Sequence, residues 1–563
     1  MLVVDHVGFS GRTRLPAHGV RVDDSAAFAD RGSAVPPGAF SRQWGPHLAQ
    51  PVPGLRLLLS GVVSGPCSAE FVRDVVGAVT TGRYDRPARL GGELSGCVIT
   101  DAAVYLFRGA ASRDQVFYRR SGTLVEWSAD PSDLYEGGLA GFDRETLWRS
   151  CRGEEIFVYP DVEFVRPGHL VILDARSTRI ERYERIVPLD LPRRTGLREY
   201  SEIAYELLLR TTRPYADAGP VGVLLSGGID SSLVLAALVE NGADVTAYHM
   251  GTEDPRADES AYAEAVCRHL SVRLVSVTTD LDDYFSTDWE FPHPYNHVWF
   301  RRILEIADRM RMDGICLALS GLEADILFGP LRYGLDDVVF GEVRWREKRQ
   351  MLLGLLCSRW ELGRVARSLA RAYSLFDDAE ATAEVAPGVD FLAPLPEVPA
   401  ESYDLDFLPQ EQTLNLTVWR PRGITLASPW GSPSLRRLAA RIPQAYKLIP
   451  YRGRLIDKPV LRLAAADRLP ELVWRHYGRN WLASPEESWC LDHPGVLAEL
   501  LGGPGSLLVA KGVVDPNRLD AVLTDPAALR RNAESLVNSA MVELFLRSAQ
   551  RRGAPDGIAA THR

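Results

Sequence analysis

The sequence predicts an α/β fold in two parts: a β-rich N-terminal domain over 1–190 and, over 200–563, a parallel-sheet domain with helical additions. Two patterns carry that expectation. Short alternating apolar runs broken by Gly, Asp and Ser turns fill about the first 185 residues, the signature of half-buried strands. From Val221 onward, strand–loop–helix units repeat, which calls for a parallel sheet covered on both faces. Between the two parts, PLDLPRRTGLREYSE places two prolines before a run of charge, a linker composition.

Taken in order, the N-terminal strands fall in GLRLLLSGVV, LSGCVITDAAVYLFRGA, QVFYRRSGTLVEWSA and GHLVILDARSTRIERY. The amphipathic stretch EIAYELLLRTTRPY reads as the first helix after the linker. VGVLL is then a strand, SSLVLAALVENG a helix ending at Gly242, VTAYHM a strand and ESAYAEAVCRHL a helix. RLVSVTT, the helix near VWFRRILEIADRM and the strand GICLALSG continue the alternation. Residues 340–480 read as mostly helical, with a loop around 384–400.

Composition narrows the classes. A chain of 563 residues is too long for one ordinary core. Hydrophobic content of 46% and charged content of 25% are those of a globular protein. With 64 basic and 74 acidic side chains the net charge is −10, and no long basic run appears, so no nucleic-acid partner is expected. No apolar stretch reaches the roughly 18 residues of a membrane span, and the N-terminus is no signal peptide; no membrane partner and a cytoplasmic location are expected. Seven widely spaced cysteines (67, 97, 151, 267, 316, 357 and 490) without a CxxC read as buried small hydrophobes in a reducing compartment.

The informative stretch is VGVLLSGGIDSS at 221–232, an apolar run that stops at a small polar turn. Between a strand and a helix, such a turn offers free backbone N–H groups and the positive end of a helix dipole, a site for a phosphate-type anion. Gly227 and Gly228 allow close backbone approach. Ser226, Ser231 and Ser232 supply hydroxyls, and Asp230 makes sense beside phosphate as a Mg²⁺ ligand. An ordinary N-cap explains one Asp or Ser here, but not SGG and DSS together.

SGGIDSS resembles the pyrophosphate loop of the ATP pyrophosphatases, specifically the asparagine synthetase branch. DESAYAEAVCRHLSV at 258–272, LALSGLEADILFG at 317–329, and ARIPQAYKL with DKPVLRLAAADRLPELVWR at 457–475 extend that resemblance over about 200–480. More loosely, GGELSGCVITDAAVYLFRGAASRDQVFYR and VRPGHLVILD are similar to the branch's glutaminase-like (Ntn-type) domain. The resemblance implies cleavage of ATP to AMP and pyrophosphate after a carboxylate attacks the α-phosphate, followed by amide formation. It implies ATP and Mg²⁺ as cofactors, with Ser226, Gly227, Gly228, Asp230, Ser231, Ser232, Gly321 and Lys458 on the nucleotide. Asp230 and Asp325 would hold the metal, and Lys458 would neutralise charge on the leaving pyrophosphate.

The chain departs from that pattern at four places. Leu2 stands where glutamine-dependent members carry their nucleophilic Cys, so no ammonia from glutamine is expected. Leu322 replaces the Glu of asparagine synthetases and the Tyr of β-lactam synthetases; Glu323 is a candidate stand-in or a salt-bridged residue. Ile326 follows Asp325 where asparagine synthetases have Glu. The family's late catalytic lysine is missing, and Arg479 is the nearest positive replacement.

Without glutaminase chemistry the amine must come from the substrate. The pattern resembles the lasso peptide cyclases, which join an Asp or Glu side chain of a precursor peptide to its own N-terminal amine. That resemblance also implies a leader-binding protein and a leader peptidase as partners. Trp289, Phe291, Tyr295, Trp299, Trp419 and Trp430 are candidates to line such a site, or core residues. A β-lactam synthetase-like or other small-substrate ligase, and a non-catalytic nucleotide- or peptide-binding member, are the alternatives. A tRNA-modifying enzyme using the same loop is a more distant one.

Overall fold

A computed structural model describes residues 2–4, 11–14, 49–52, 55–63, 77, 81, 94–100, 102–154, 156–278, 289–294, 300–329, 342–356, 391–392, 413–451, 454–476 and 484–553. Arg479, Tyr295, Trp299, Cys67 and Cys357 lie outside the described residues, as does most of the expected loop at 384–400.

Among the described residues the N-terminal part holds two antiparallel sheets. One runs β1 (Leu2–Val4), β4 (Leu55–Val63), β5 (Leu94–Ile99), β6 (Ala103–Arg108), β10 (His169–Asp174) and β11 (Thr178–Arg182), with β3 (Ala49–Val52) also on β4. The other runs β2 (Gly11–Arg14), β8 (Leu124–Ser128), β7 (Phe117–Ser121) and β9 (Glu163–Phe164). Period-two alternation sends Cys97, Ile99, Val104, Leu106, Val171 and Leu173 of the first sheet against Tyr118, Val125 and Trp127 of the second. Val98, Phe107, Leu170 and Ile172, on the first sheet's other face, are buried too. Leu2 is a strand residue here, paired with Val63.

After the linker, α2 (Leu197–Ala216) follows the short N-terminal helix α1 (Arg144–Cys151). Helix α2 buries Tyr200, Ala204, Tyr205, Leu208, Thr212 and Tyr215, one stripe at helical spacing. The sheet beyond it is wholly parallel: β14 (Arg273–Thr278), β13 (Val245–Gly251), β12 (Val221–Leu224), β15 (Leu317–Leu319), β16 (Thr425–Ala427). Crossovers pass through α3 (Ile229–Glu240), α4 (Ser260–Leu270) and α5 (Phe300–Met312). Helix α3 is apolar nearly all round, and Leu233–Leu238 are all buried. Past Gly242 (φ 78) the chain turns back toward β13, the left-handed end expected for that helix.

Among the described residues between 340 and 480 most are helical, as expected, with short strands between the helices. Helices α7 (Trp345–Leu356), α8 (Pro433–Arg441) and α9 (Pro459–Ala466) follow the short α6 (Ala324–Phe328), but β16 and the hairpin β17 (Leu448–Tyr451)–β18 (Arg454–Asp457) lie among them. Strands of three and four residues are too short to show alternation. The C-terminal helix α10 (Pro526–Gly553) buries Leu536, Val537, Met541, Phe545 and Leu546 in a core that also takes in Phe142, Leu147 and Tyr159 from the N-terminal part.

Among the described cysteines, Cys97, Cys151, Cys267 and Cys490 are buried as expected, but Cys316, just before β15, is exposed. The described aromatics are mainly core: Phe291, Trp419 and Trp430 are fully buried, and Trp289 packs against the core around Phe300. Among the described residues no helix is long and apolar enough to cross a membrane.

Candidate active site

Strand β12 sits between β13, which follows it, and β15, which comes after the chain has crossed to the other side. The strand order reverses at that point, and the crevice beyond the carboxyl ends of such strands is where open α/β sheets take ligands. The loops after β12 and β15 are the two acidic loops singled out in the sequence.

The first loop turns at Gly227 (φ 91), where a Cβ would lie 2.8 Å from the Ala263 amide nitrogen and from the Tyr262 Cβ. Only glycine fits that approach to α4. The three hydroxyls have different places. Ser226 is exposed at the mouth, and its Oγ accepts from the Gly228 N–H at 3.1 Å. Ser231 is buried and braces the loop, its Oγ 3.1 Å from Ser226 Oγ and accepting from the Ser226 N–H. Ser232 is buried with no hydrogen-bond partner for its Oγ. His249, buried on β13, has Nδ1 2.8 Å from the Leu225 carbonyl, and the Trp430 indole N–H donates to the Asp230 carbonyl at 3.2 Å. Both hold the turn by its backbone.

The second loop presses on the first. At Gly321 a Cβ would stand 2.6 Å from the Ser231 amide nitrogen and 2.9 Å from its Cα. Both obstacles are backbone, so Gly321→Ala is expected to force the loops apart and to cost about 1–3 kcal/mol, the usual range for overpacking. Urea unfolding of that variant checks this; an unchanged midpoint would refute the close packing.

Lys458 ties the loops together. It lies at the base of the β17–β18 hairpin, its N–H donating to the Lys447 carbonyl at 3.0 Å, with a left-handed backbone (φ 47) that caps α9. Its Nζ is 2.5 Å from Asp230 Oδ2 and 2.7 Å from Asp325 Oδ1. The Lys458 side chain is 8% exposed and that of Asp230 17%, whereas Asp325 at 60% faces the opening. Burial works against the Lys458 ammonium, but attraction to Asp230 and Asp325 outweighs it and holds its pKa above the ordinary range. Burial pushes the Asp230 carboxyl up, Lys458 pulls it back and Asp325 pushes it up again, leaving it at about 6.

The residues present suit Mg²⁺. Asp230 Oδ1 is buried without a hydrogen-bond partner, an unspent hard oxygen beside the exposed carboxylate of Asp325. Among the described residues no group of three or more His, Cys, Asp or Glu side chains forms a complete cage. Two carboxylates with phosphate oxygens and water completing the shell is the usual manner of Mg²⁺.

Glu323 stands two residues before Asp325 in the second loop. Buried and left-handed (φ 69), it is paired with Arg113 and Arg436. A non-glycine residue there costs about 1–2 kcal/mol. Arg113, Arg436 and Gly431 were not legible as site residues, because each reaches Glu323 from a distant part of the chain. Leu322 and Ile326, flanking Glu323 and Asp325, are about 40% exposed.

Comparison with known proteins agrees with the second half of this picture. A curated relative, the tRNA-specific 2-thiouridylase MnmA of Fervidobacterium nodosum, is 66% identical over 143 residues, covering 21% of this chain and 40% of the relative. The chain thus spans less than half the length of that protein. Two solved structures match at 10% identity and a TM-score of 0.16, too low to carry an argument. One is glutamine phosphoribosylpyrophosphate amidotransferase from B. subtilis complexed with ADP and GMP, covering 42% of this chain and 73% of that one. The other is described as the allosteric regulatory enzyme of purine biosynthesis, covering 41% and 62%. The family model described as asparagine synthase matches residues 206–547, more than half of the sequence and all of the loops above, and the chain belongs to that family.

Proposed function

We propose that this chain is an ATP-dependent, AMP-forming amide ligase that closes the macrolactam ring of a lasso peptide. The observation that carries the ligase reading is the Lys458 bridge between Asp230 and Asp325 at the strand-order reversal. In this reading the loop 226–232 would receive the β- and γ-phosphates, and Asp230 and Asp325 would hold Mg²⁺, which would supply charge neutralisation on the phosphates. Lys458 offers a fixed positive charge to the departing pyrophosphate. A substrate carboxylate attacks the α-phosphorus and the bond to pyrophosphate breaks. The peptide's N-terminal amine then attacks the acyl carbon, losing a proton as AMP leaves, so the peptide loses one water.

The apolar Leu322 and Ile326, exposed on either side of the acidic loop, suit a peptide better than a small polar acid. Enclosing both ends of one peptide in near-attack geometry is worth roughly 7–11 kcal/mol. The first 190 residues serve in this reading as a glutaminase-like domain without glutaminase chemistry. A leader-binding protein and a leader peptidase are the partners it calls for. We leave Arg479 as the candidate charge at the acyl-adenylate.

The thiouridylase relative favours one other reading, a tRNA-directed reaction. Sulfur transfer needs a reachable thiol, and the exposed cysteine among the described residues, Cys316, precedes β15 at the end of the sheet opposite the crevice.

The test is mass spectrometry of the full chain with ATP, Mg²⁺ and a leaderless precursor peptide, with Asp230→Ala alongside. Loss of one water with AMP formation, absent in the variant, is expected. AMP formed only with ammonia or a small amine would keep the ligase and overturn the peptide. No AMP with any amine would favour a binding-only member.

A further inference from the structure

The N-terminal part meets the acidic loop at a charged contact. Arg113, in the segment between β6 and β7, places Nε 3.1 Å from Glu323 Oε1. On the other side Arg436 of α8 places Nη2 2.5 Å from Glu323 Oε2, and its Nε donates to the Gly431 carbonyl at 2.8 Å. Gly431 makes the room: a Cβ there would lie 2.5 Å from Glu323 Oε1. The Glu323 side chain is only 4% exposed, with Arg113 at 18% and Arg436 at 24%, so salt screens these pairs little. All three line a cavity of about 380 Å³ where the first sheet's loops meet α6 and α8.

Glu323 also sits where it can act on the site. Its backbone is left-handed, its carbonyl accepts the Leu327 N–H at 2.9 Å to open α6, and Asp325, two residues on, is held by Lys458. Nothing local favours that conformation for a glutamate. The two guanidiniums, one from each part of the molecule, grip its carboxylate by both oxygens.

We propose that Glu323 is a positioning residue through which Arg113 of the N-terminal part sets the acidic loop, so that Asp325 is presented for binding of the Mg²⁺-nucleotide. The N-terminal part then serves as a strut for the ligase loop. This rests on the reading of Asp325 and Asp230 as nucleotide-site carboxylates. It assigns Glu323 to holding the loop rather than to moving a proton.

The full-length Arg113→Met and Glu323→Gln variants and their double variant test it by amide hydrogen exchange and by calorimetric titration with ATP, with Mg²⁺ or with EDTA. Arg113→Met is expected to raise exchange at 321–329 and to weaken MgATP binding, each by about tenfold, with ATP binding in EDTA unchanged. Glu323→Gln should do the same, and the double variant should be no worse than either single one. Glu323→Gly, which suits the positive φ, should not restore binding. Wild-type exchange at 321–329 in Arg113→Met, or wild-type MgATP affinity in Glu323→Gly, would overturn the proposal. If the wild-type chain fails to bind MgATP, the nucleotide-site reading falls, and the exchange comparison still decides the strut.

Discussion

A Lys458→Met chain is expected to lose about 10²–10³-fold in turnover and about 3 kcal/mol of stability. Added Mg²⁺ should recover part of the stability but not the turnover. The stability loss follows from what remains: Asp230 and Asp325, each within 2.7 Å of one ammonium, are left as two carboxylates with no cation between them. Asp325 is largely exposed, which keeps the cost at the low end of the range for a broken buried pair. A divalent cation answers that repulsion, so its effect on the melting temperature should be larger in the variant than in the wild type. Turnover should stay low, because the cation replaces the neutralising charge on the carboxylates and not the one that the proposed reading has Lys458 offer to pyrophosphate. Lys458→Arg keeps the charge, but a planar fork cannot sit as a point between two oxygens, so partial rescue is expected. Full turnover in Lys458→Met, or no difference in Mg²⁺ response, would remove Lys458 from the site.

The parallel sheet was legible because its parts obey their own periods. VGVLL is a continuous apolar run, as a strand buried on both faces must be. ESAYAEAVCRHL buries Ala263, Val266 and Cys267 at helical spacing. The acidic loops were legible because chemistry at a strand end needs small residues and a carboxylate together. What stayed hidden was non-local. β16 is three residues that become a strand only by pairing with β15. Arg113 and Arg436 are ordinary surface-type residues until the fold brings both to Glu323. Ser231 and Ser232 look alike in sequence, yet one braces its own loop and the other turns inward.

An Asp230→Asn chain is expected to lose at least about 10²-fold in turnover and to show a pH dependence of stability that differs from the wild type in a definite direction. In the folded chain the Asp230 carboxyl stands at about 6 against an ordinary 3.8, with burial the largest cause. Between those values the folded state binds the proton and the unfolded state does not, so this group's contribution to stability falls as the pH rises from about 4 to 6. Above 6 the loss is complete and the contribution is flat. The wild-type minus Asn difference in unfolding free energy should therefore drop by about 3 kcal/mol between pH 4 and pH 7, at most. On the proposed ligase reading the same carboxyl governs activity in the opposite sense, since a protonated Asp230 no longer offers its charge to Lys458 or to a cation. Turnover should fall as the pH drops through about 6, and saturating Mg²⁺ should move that limb to lower pH, because cation and proton compete for the same oxygens. A difference in stability that does not change with pH, or an acid limb indifferent to Mg²⁺, would mean that Asp230 is only a structural partner of Lys458 and that the crevice takes its metal elsewhere.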